Sequence, residues 1–174
     1  MILKLKRTPG IYLVGFMACG KTTIGRILAD ELGWHFGDLD EDIESEHRMA
    51  ISDIFDTLGE ETFRDMETRA IERRVRMVER GKPTVLALGG GAFLREPNYK
   101  MLTDHGITIW IDCAFDIICN RVSQSTHRPL ARDSEKLRRL YDARRELYAR
   151  AEFRVETTGD SGSVAREILK LGIF

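Results

Sequence analysis

The residues Gly15-Phe16-Met17-Ala18-Cys19-Gly20-Lys21-Thr22 fit the spacing G-x-x-x-x-G-K-[ST]. A glycine-rich turn of this length points backbone N–H groups inward, where they cradle phosphate oxygens. The lysine then reaches the outer phosphates of a nucleoside triphosphate, and the Thr22 hydroxyl is placed to ligate Mg²⁺. That chemistry requires a strand before the loop and a helix after it. Ile11-Tyr12-Leu13-Val14 is a short, β-branched and apolar run, and Ile24, Ile27, Leu28 and Leu32 recur at helical spacing. The expected ligand is a nucleoside triphosphate, held by Ala18, Cys19, Gly20, Lys21, Thr22 and Thr23.

Other segments carry chemistry too. Asp38 and Asp40 close the second apolar run, and in an extended chain residues two apart face the same side. Both carboxylates are therefore expected over the phosphate loop. One is suited to holding Mg²⁺ through water, the other to accepting a proton from an attacking hydroxyl. The plain alternative is that Asp40 N-caps the next helix. Gly89-Gly90-Gly91 follows a third apolar run and lets backbone approach a ligand closely; a flexible turn is the other reading. Arg64 and Glu67 fall on one helical face. A guanidinium pinned by a carboxylate can grip a substrate carboxylate, although spacing alone favours an ordinary surface ion pair.

The stretch from Ser123 to Leu130 lacks periodicity and lies between two helical segments. It reads as a lid over about 123–134, with Arg128 able to swing over a transferring phosphate. The arginines beyond it alternate with acidic residues, which describes a solvated charged face. Cys19 lies beside Lys21 near a helix start, where a thiol becomes reactive; a small packing residue is the simpler reading.

These side chains need a framework, and the pattern supplies one. Strands are expected at Ile11–Val14, Trp34–Asp38, Thr84–Leu88, Ile107–Ile111 and Phe153–Glu156, with helical stretches between them. Alternation of this kind implies an α/β fold, a five-stranded parallel sheet flanked by helices on both faces. Ligands gather beyond the carboxyl ends of such strands, where the motifs lie. The chain has 174 residues and reads as a single domain, 1–174. With 27 basic and 28 acidic residues its net charge is −1, which argues against a nucleic-acid or membrane-surface protein. No apolar run approaches the roughly 18 residues of a membrane span. No secretory signal is visible, and three cysteines lack metal-ligand spacing. A soluble, cytoplasmic, monomeric protein is expected.

Taken together, the phosphate loop, Asp38-x-Asp40, Gly59-Glu60-x-x-Phe63-Arg64-x-x-Glu67, Gly89-Gly90-Gly91-Ala92, Arg128-Pro129-Leu130 and Arg144-x-x-x-Tyr148 resemble the shikimate kinase family. Their order and spacing agree along nearly the whole chain. The resemblance implies transfer of the ATP γ-phosphoryl group to the 3-hydroxyl of shikimate, with Mg²⁺, on the route to chorismate and aromatic amino acids. It implies that Asp40 contacts the ring hydroxyls and serves as the base, with Lys21 and Arg128 as its catalytic partners. It assigns Asp38 to Mg²⁺ through water, and Arg64 with Arg144 to the shikimate carboxylate, Arg145 being the alternative for the second arginine. Gly89, Gly90 and Gly91 meet the substrate, Arg121 flanks the adenine, and Arg128 reaches ATP from the lid. This chain has Ala18 where the family usually has glycine, and Glu146 where proline is common. A kinase for gluconate, which also carries a carboxylate and hydroxyls, is the nearest rival. A nucleotide-binding regulator without catalysis is the second, although retention of Lys21, Thr22, Asp38, Asp40 and Arg128 argues against it.

Overall fold

The computed structural model describes residues 10–124, 133–157 and 159–173. Five strands, β1 Gly10–Val14, β2 His35–Asp38, β3 Thr84–Ala87, β4 Ile107–Cys113 and β5 Phe153–Thr157, form one parallel sheet in the order β2-β3-β1-β4-β5. Every residue of β1 and β3 is buried, which is why neither shows polar alternation. The helices are α1 Lys21–Leu32, α2 Leu39–His47, α3 Ile51–Leu58, α4 Glu60–Glu79, α5 Glu96–His105, α6 Phe115–Ser123, α7 Ser134–Tyr148 and α8 Ser161–Leu169.

Helix α1 packs against α8, and α4 against α5. Right-handed crossovers require this division. The connection from β1 to β2 runs toward one edge of the sheet and those from β2 onward run toward the other, so α1 lies on the face opposite α4 and α5. Neighbouring strands β1 and β3 therefore send their chains to opposite faces, and a crevice opens at their carboxyl ends. Register makes the crevice level: Ala87 pairs with both Leu13 and Asp38, and the Leu88 N–H donates to the Leu13 carbonyl at 3.0 Å. The phosphate loop, Asp38 and the glycine triplet leave the sheet side by side.

Element ends differ from expectation where side chains decide them. β2 starts at His35 because the Trp34 N–H closes α1 on the Ala29 carbonyl at 2.9 Å, after Gly33 turns left-handed at φ 66°. β4 continues past the expected end at Ile111 to Cys113, because Asp112 is neutralised by Arg145 and Arg154. α7 opens at Ser134 with Asp133 as its cap, accepting from the Lys136 N–H at 3.1 Å.

Candidate active site

The loop after β1 needs unusual backbone. Gly20 has φ 99° and turns the chain into α1, which begins with no side-chain cap and no acidic residue in its first turn. The positive end of that helix faces the crevice. Ala18 has φ 61°, a left-handed conformation that costs an alanine about 1 kcal/mol. Its carbonyl accepts from Arg121 Nη1 of α6 at 2.9 Å, which ties the turn to a second element. Lys21 Nζ arches over the loop and donates to the carbonyls of Gly15 at 2.8 Å and Phe16 at 2.9 Å. Cys19 lies beneath, 1% exposed, with its Sγ 3.6 Å from Lys21 Nζ. Unlike its neighbours Ala18 and Gly20, Cys19 does not line the crevice, and its burial suits a packing residue.

Asp38 and Asp40 meet the crevice by a different route from the one expected. Alternation along a strand does not apply, since β2 ends at Asp38 and α2 starts at Leu39. Asp38, not Asp40, is the helix cap: its Oδ1 accepts from the N–H groups of Asp40 at 3.0 Å and Glu41 at 3.3 Å. Its Oδ2 accepts from Thr22 Oγ1 at 2.5 Å. Asp40 occupies the first turn of α2 and still lines the crevice.

The glycine triplet is a floor for charged groups. A Cβ on Gly89 would stand 2.8 Å from Asp40 Oδ1 and 3.0 Å from Glu67 Oε1; on Gly90, 3.2 Å from Arg144 Nη1; on Gly91, 2.6 Å from Arg64 Nη2. Each glycine thus makes room for a different charged side chain. The Tyr148 hydroxyl donates to the Gly90 carbonyl and holds the floor from below; burial raises the phenol's pKa and keeps it a donor.

Arg64 is no surface pair. Its Nη1 donates to Glu67 Oε2 at 2.7 Å, and Glu67 is 1% exposed. Burial pushes the Glu67 carboxyl up to about 6, and the attraction of Arg64 only partly opposes this. The neighbours Arg144 and Arg145 diverge. Arg144 lines the crevice, while Arg145 turns away to Asp112.

A cavity of about 610 Å³ joins these groups. Lys21, Thr22, Thr23 and Arg121 stand at one end; Asp40, Arg64, Arg144 and the glycines stand at the other. Arg128 and the central part of the expected lid lie outside the described residues. Sequence reasoning missed the apolar wall of Ile51 and Phe55 on α3 and the contribution of Ser161 at the start of α8. Apolar positions on an amphipathic helix read as core, and Phe55 does pack on Phe63 with ring centroids 4.6 Å apart. Ser161 had a weak signal in its capping residue, Asp160.

Residues 17–171 match the family described as shikimate kinase. A shikimate kinase of Ruegeria pomeroyi is 42% identical over 154 residues, covering 87% of this chain and 77% of the relative. One of Persephonella marina is 38% identical over 161 residues, covering 91% and 96%. The solved structure of shikimate kinase from Acinetobacter baumannii in complex with shikimate superimposes with a TM-score of 0.87 at 37% identity, over 94% of this chain and 92% of that one.

Proposed function

The chain belongs to the shikimate kinase family, and from that premise we propose that it transfers the γ-phosphoryl group of ATP to the 3-hydroxyl of shikimate, giving shikimate 3-phosphate and ADP, in the shikimate pathway. One observation carries the assignment of roles: Asp40, Arg64 and Arg144 converge over Gly89–Gly91 in the same cavity as Lys21 and Thr22.

The ATP end is built from amides and cations. The N–H groups of residues 18–23 hold phosphate oxygens, and Lys21 exchanges its two loop carbonyls for the outer phosphates. Arg121 borders the nucleotide, and Arg128 is assigned to it by family likeness alone. At the other end, Arg64 and Arg144 bind the substrate carboxylate through paired hydrogen bonds. Arg64 comes to this task with its fork already oriented by Glu67. Asp40 receives the proton of the 3-hydroxyl as that oxygen bonds to phosphorus and the bond to the ADP oxygen breaks. The protein's main contribution is alignment and charge neutralisation.

Mg²⁺ suits the donor set. Thr22 Oγ1 and Asp38 Oδ2, 2.5 Å apart beside the phosphate loop, are hard oxygen donors of the kind that share the ion with phosphates and water. Among the described residues, no group of three or more His, Cys, Asp or Glu forms a cage of its own, as expected for an ion that arrives with the nucleotide. Mg²⁺ would supply neutralisation of phosphate charge. One chain holds every residue invoked, so a monomer suffices. No described helix is long and apolar enough to cross a membrane, and the three cysteines are unpaired, which supports a cytoplasmic site of action.

The test is ADP release measured with shikimate, gluconate and nucleoside monophosphates in parallel. Saturable, Mg²⁺-dependent turnover with shikimate is expected; preference for either alternative overturns the reading.

A further inference from the structure

Helix α7 turns a polar face inward: Tyr141, Arg144, Arg145 and Tyr148, at positions i, i+3, i+4 and i+7. Two of the four reach the site, since Arg144 lines the cavity and Tyr148 donates to the Gly90 carbonyl. The other two grip the end of β4. The Tyr141 hydroxyl donates to the Cys113 carbonyl at 2.7 Å, and Arg145 forks onto Asp112, with Nη2 to Oδ2 at 2.9 Å and Nη1 to Oδ1. Arg154 of β5 donates to the same carboxylate from Nε at 2.9 Å, and both guanidiniums lie about 5 Å over the Trp110 ring. Asp112 is 7% exposed, and neither it nor Arg145 lines the cavity.

Only the Asp112 carboxylate of this ion triad is buried; Arg145 is half-buried and Arg154 exposed, so solvent screens the pairing and it is weak as a source of stability. What a planar two-point fork does supply is fixed orientation. Successive residues of a helix point about 100° apart, so a rotation of α7 by a fraction of that angle would swing Arg144 off Gly90. We propose that Asp112 is a positioning residue for shikimate binding: by holding Arg145 at two points it sets the rotation of α7 that presents Arg144 to the substrate carboxylate. The proposal rests on the assignment of Arg144 to that carboxylate.

Steady-state kinetics on the whole protein test it, with Asp112→Asn, Arg144→Ala, the double variant and Arg145→Lys. Asp112→Asn should raise the KM for shikimate about tenfold, a common size for coupling between contacting groups, with kcat and the KM for ATP within about twofold. In the Arg144→Ala background the same change should move the shikimate KM by less than about twofold. Arg145→Lys keeps the charge but not the fork, and should reproduce the rise; it carries the test if Asp112→Asn does not fold. An equal fold-change in both backgrounds overturns the proposal, as does an unchanged shikimate KM in Asp112→Asn or in Arg145→Lys. If Arg144→Ala itself leaves the shikimate KM unchanged, the carboxylate assignment is what fails.

Discussion

Glu67 is the buried half of an asymmetric pair: its carboxylate is 1% exposed, yet it accepts at 2.7 Å from Nη1 of an Arg64 guanidinium that lies against Gly91. The anchor fixes the arginine before substrate arrives, which lowers the ordering cost of the clamp.

That anchor titrates. Burial raises the Glu67 pKa to about 6, above its unfolded value, so the folded state holds this proton more tightly. Its contribution to stability is therefore fully present below the unfolded pKa and lost as pH rises through about 6, a change of about 2 kcal/mol. Activity should run the opposite way, since the ionised form orients Arg64. kcat/KM for shikimate should show an acid limb near pH 6 in the unmodified enzyme, and Glu67→Gln should abolish it. A Glu67→Gln profile that retains the limb contradicts this account.

Gly91→Ala tests the floor. The added Cβ would stand 2.6 Å from Arg64 Nη2, the movable tip of a side chain, so the fold should survive and the clamp should not. The shikimate KM should rise at least about tenfold, the loss of one charge-assisted hydrogen bond, with the KM for ATP within about twofold. Gly90→Ala, whose contact with Arg144 is looser at 3.2 Å, should have the smaller effect. The reverse order would mean that Arg64 does not rest on Gly91.

Ala18→Gly should defy the usual rule that glycine destabilises. At φ 61° the alanine is strained by about 1 kcal/mol, similar to the entropy that glycine returns to the unfolded chain. The midpoint of thermal unfolding should therefore hold or rise slightly. Because the Arg121 bond to the Ala18 carbonyl helps to keep that turn, Arg121→Gln should weaken ATP binding less in the Ala18→Gly background. Strictly additive losses in ATP affinity would remove Arg121 from this support.

Much of this arrangement was legible in the chain. The strand–loop–helix around Lys21 and the parallel sheet followed from local pattern, because buried parallel strands and amphipathic helices leave strong periodic signals. What could not be read was set by contacts distant in sequence. The strand was expected to end at Ile111, and it is Arg145 and Arg154, distant in sequence, that let it carry Asp112 inside β4. Arg64 looked like a surface residue because its spacing to Glu67 says nothing about the burial of Glu67. Adjacent in sequence, Arg144 and Arg145 are indistinguishable by pattern, and only their partners, Gly90 and Asp112, tell them apart.

The two aspartates after β2 should separate cleanly. Asp38 is bonded to Thr22 Oγ1 and caps α2; Asp38→Asn keeps an oxygen for the cap but removes the charge, so it should weaken the apparent Mg²⁺ affinity with little change in stability. Asp40 stands in the first turn of the helix that Asp38 caps and lies over Gly89, facing the substrate floor. Asp40→Asn preserves that shape and removes the proton acceptor. Turnover should fall about a hundredfold or more, the usual contribution of a general base, while ATP binding and Mg²⁺ dependence stay close to those of the unmodified enzyme. Titrations of Mg²⁺ at fixed ATP, set beside kcat for each variant, distinguish the roles. A metal defect in Asp40→Asn, or near-normal turnover there, would exchange or erase the assignments.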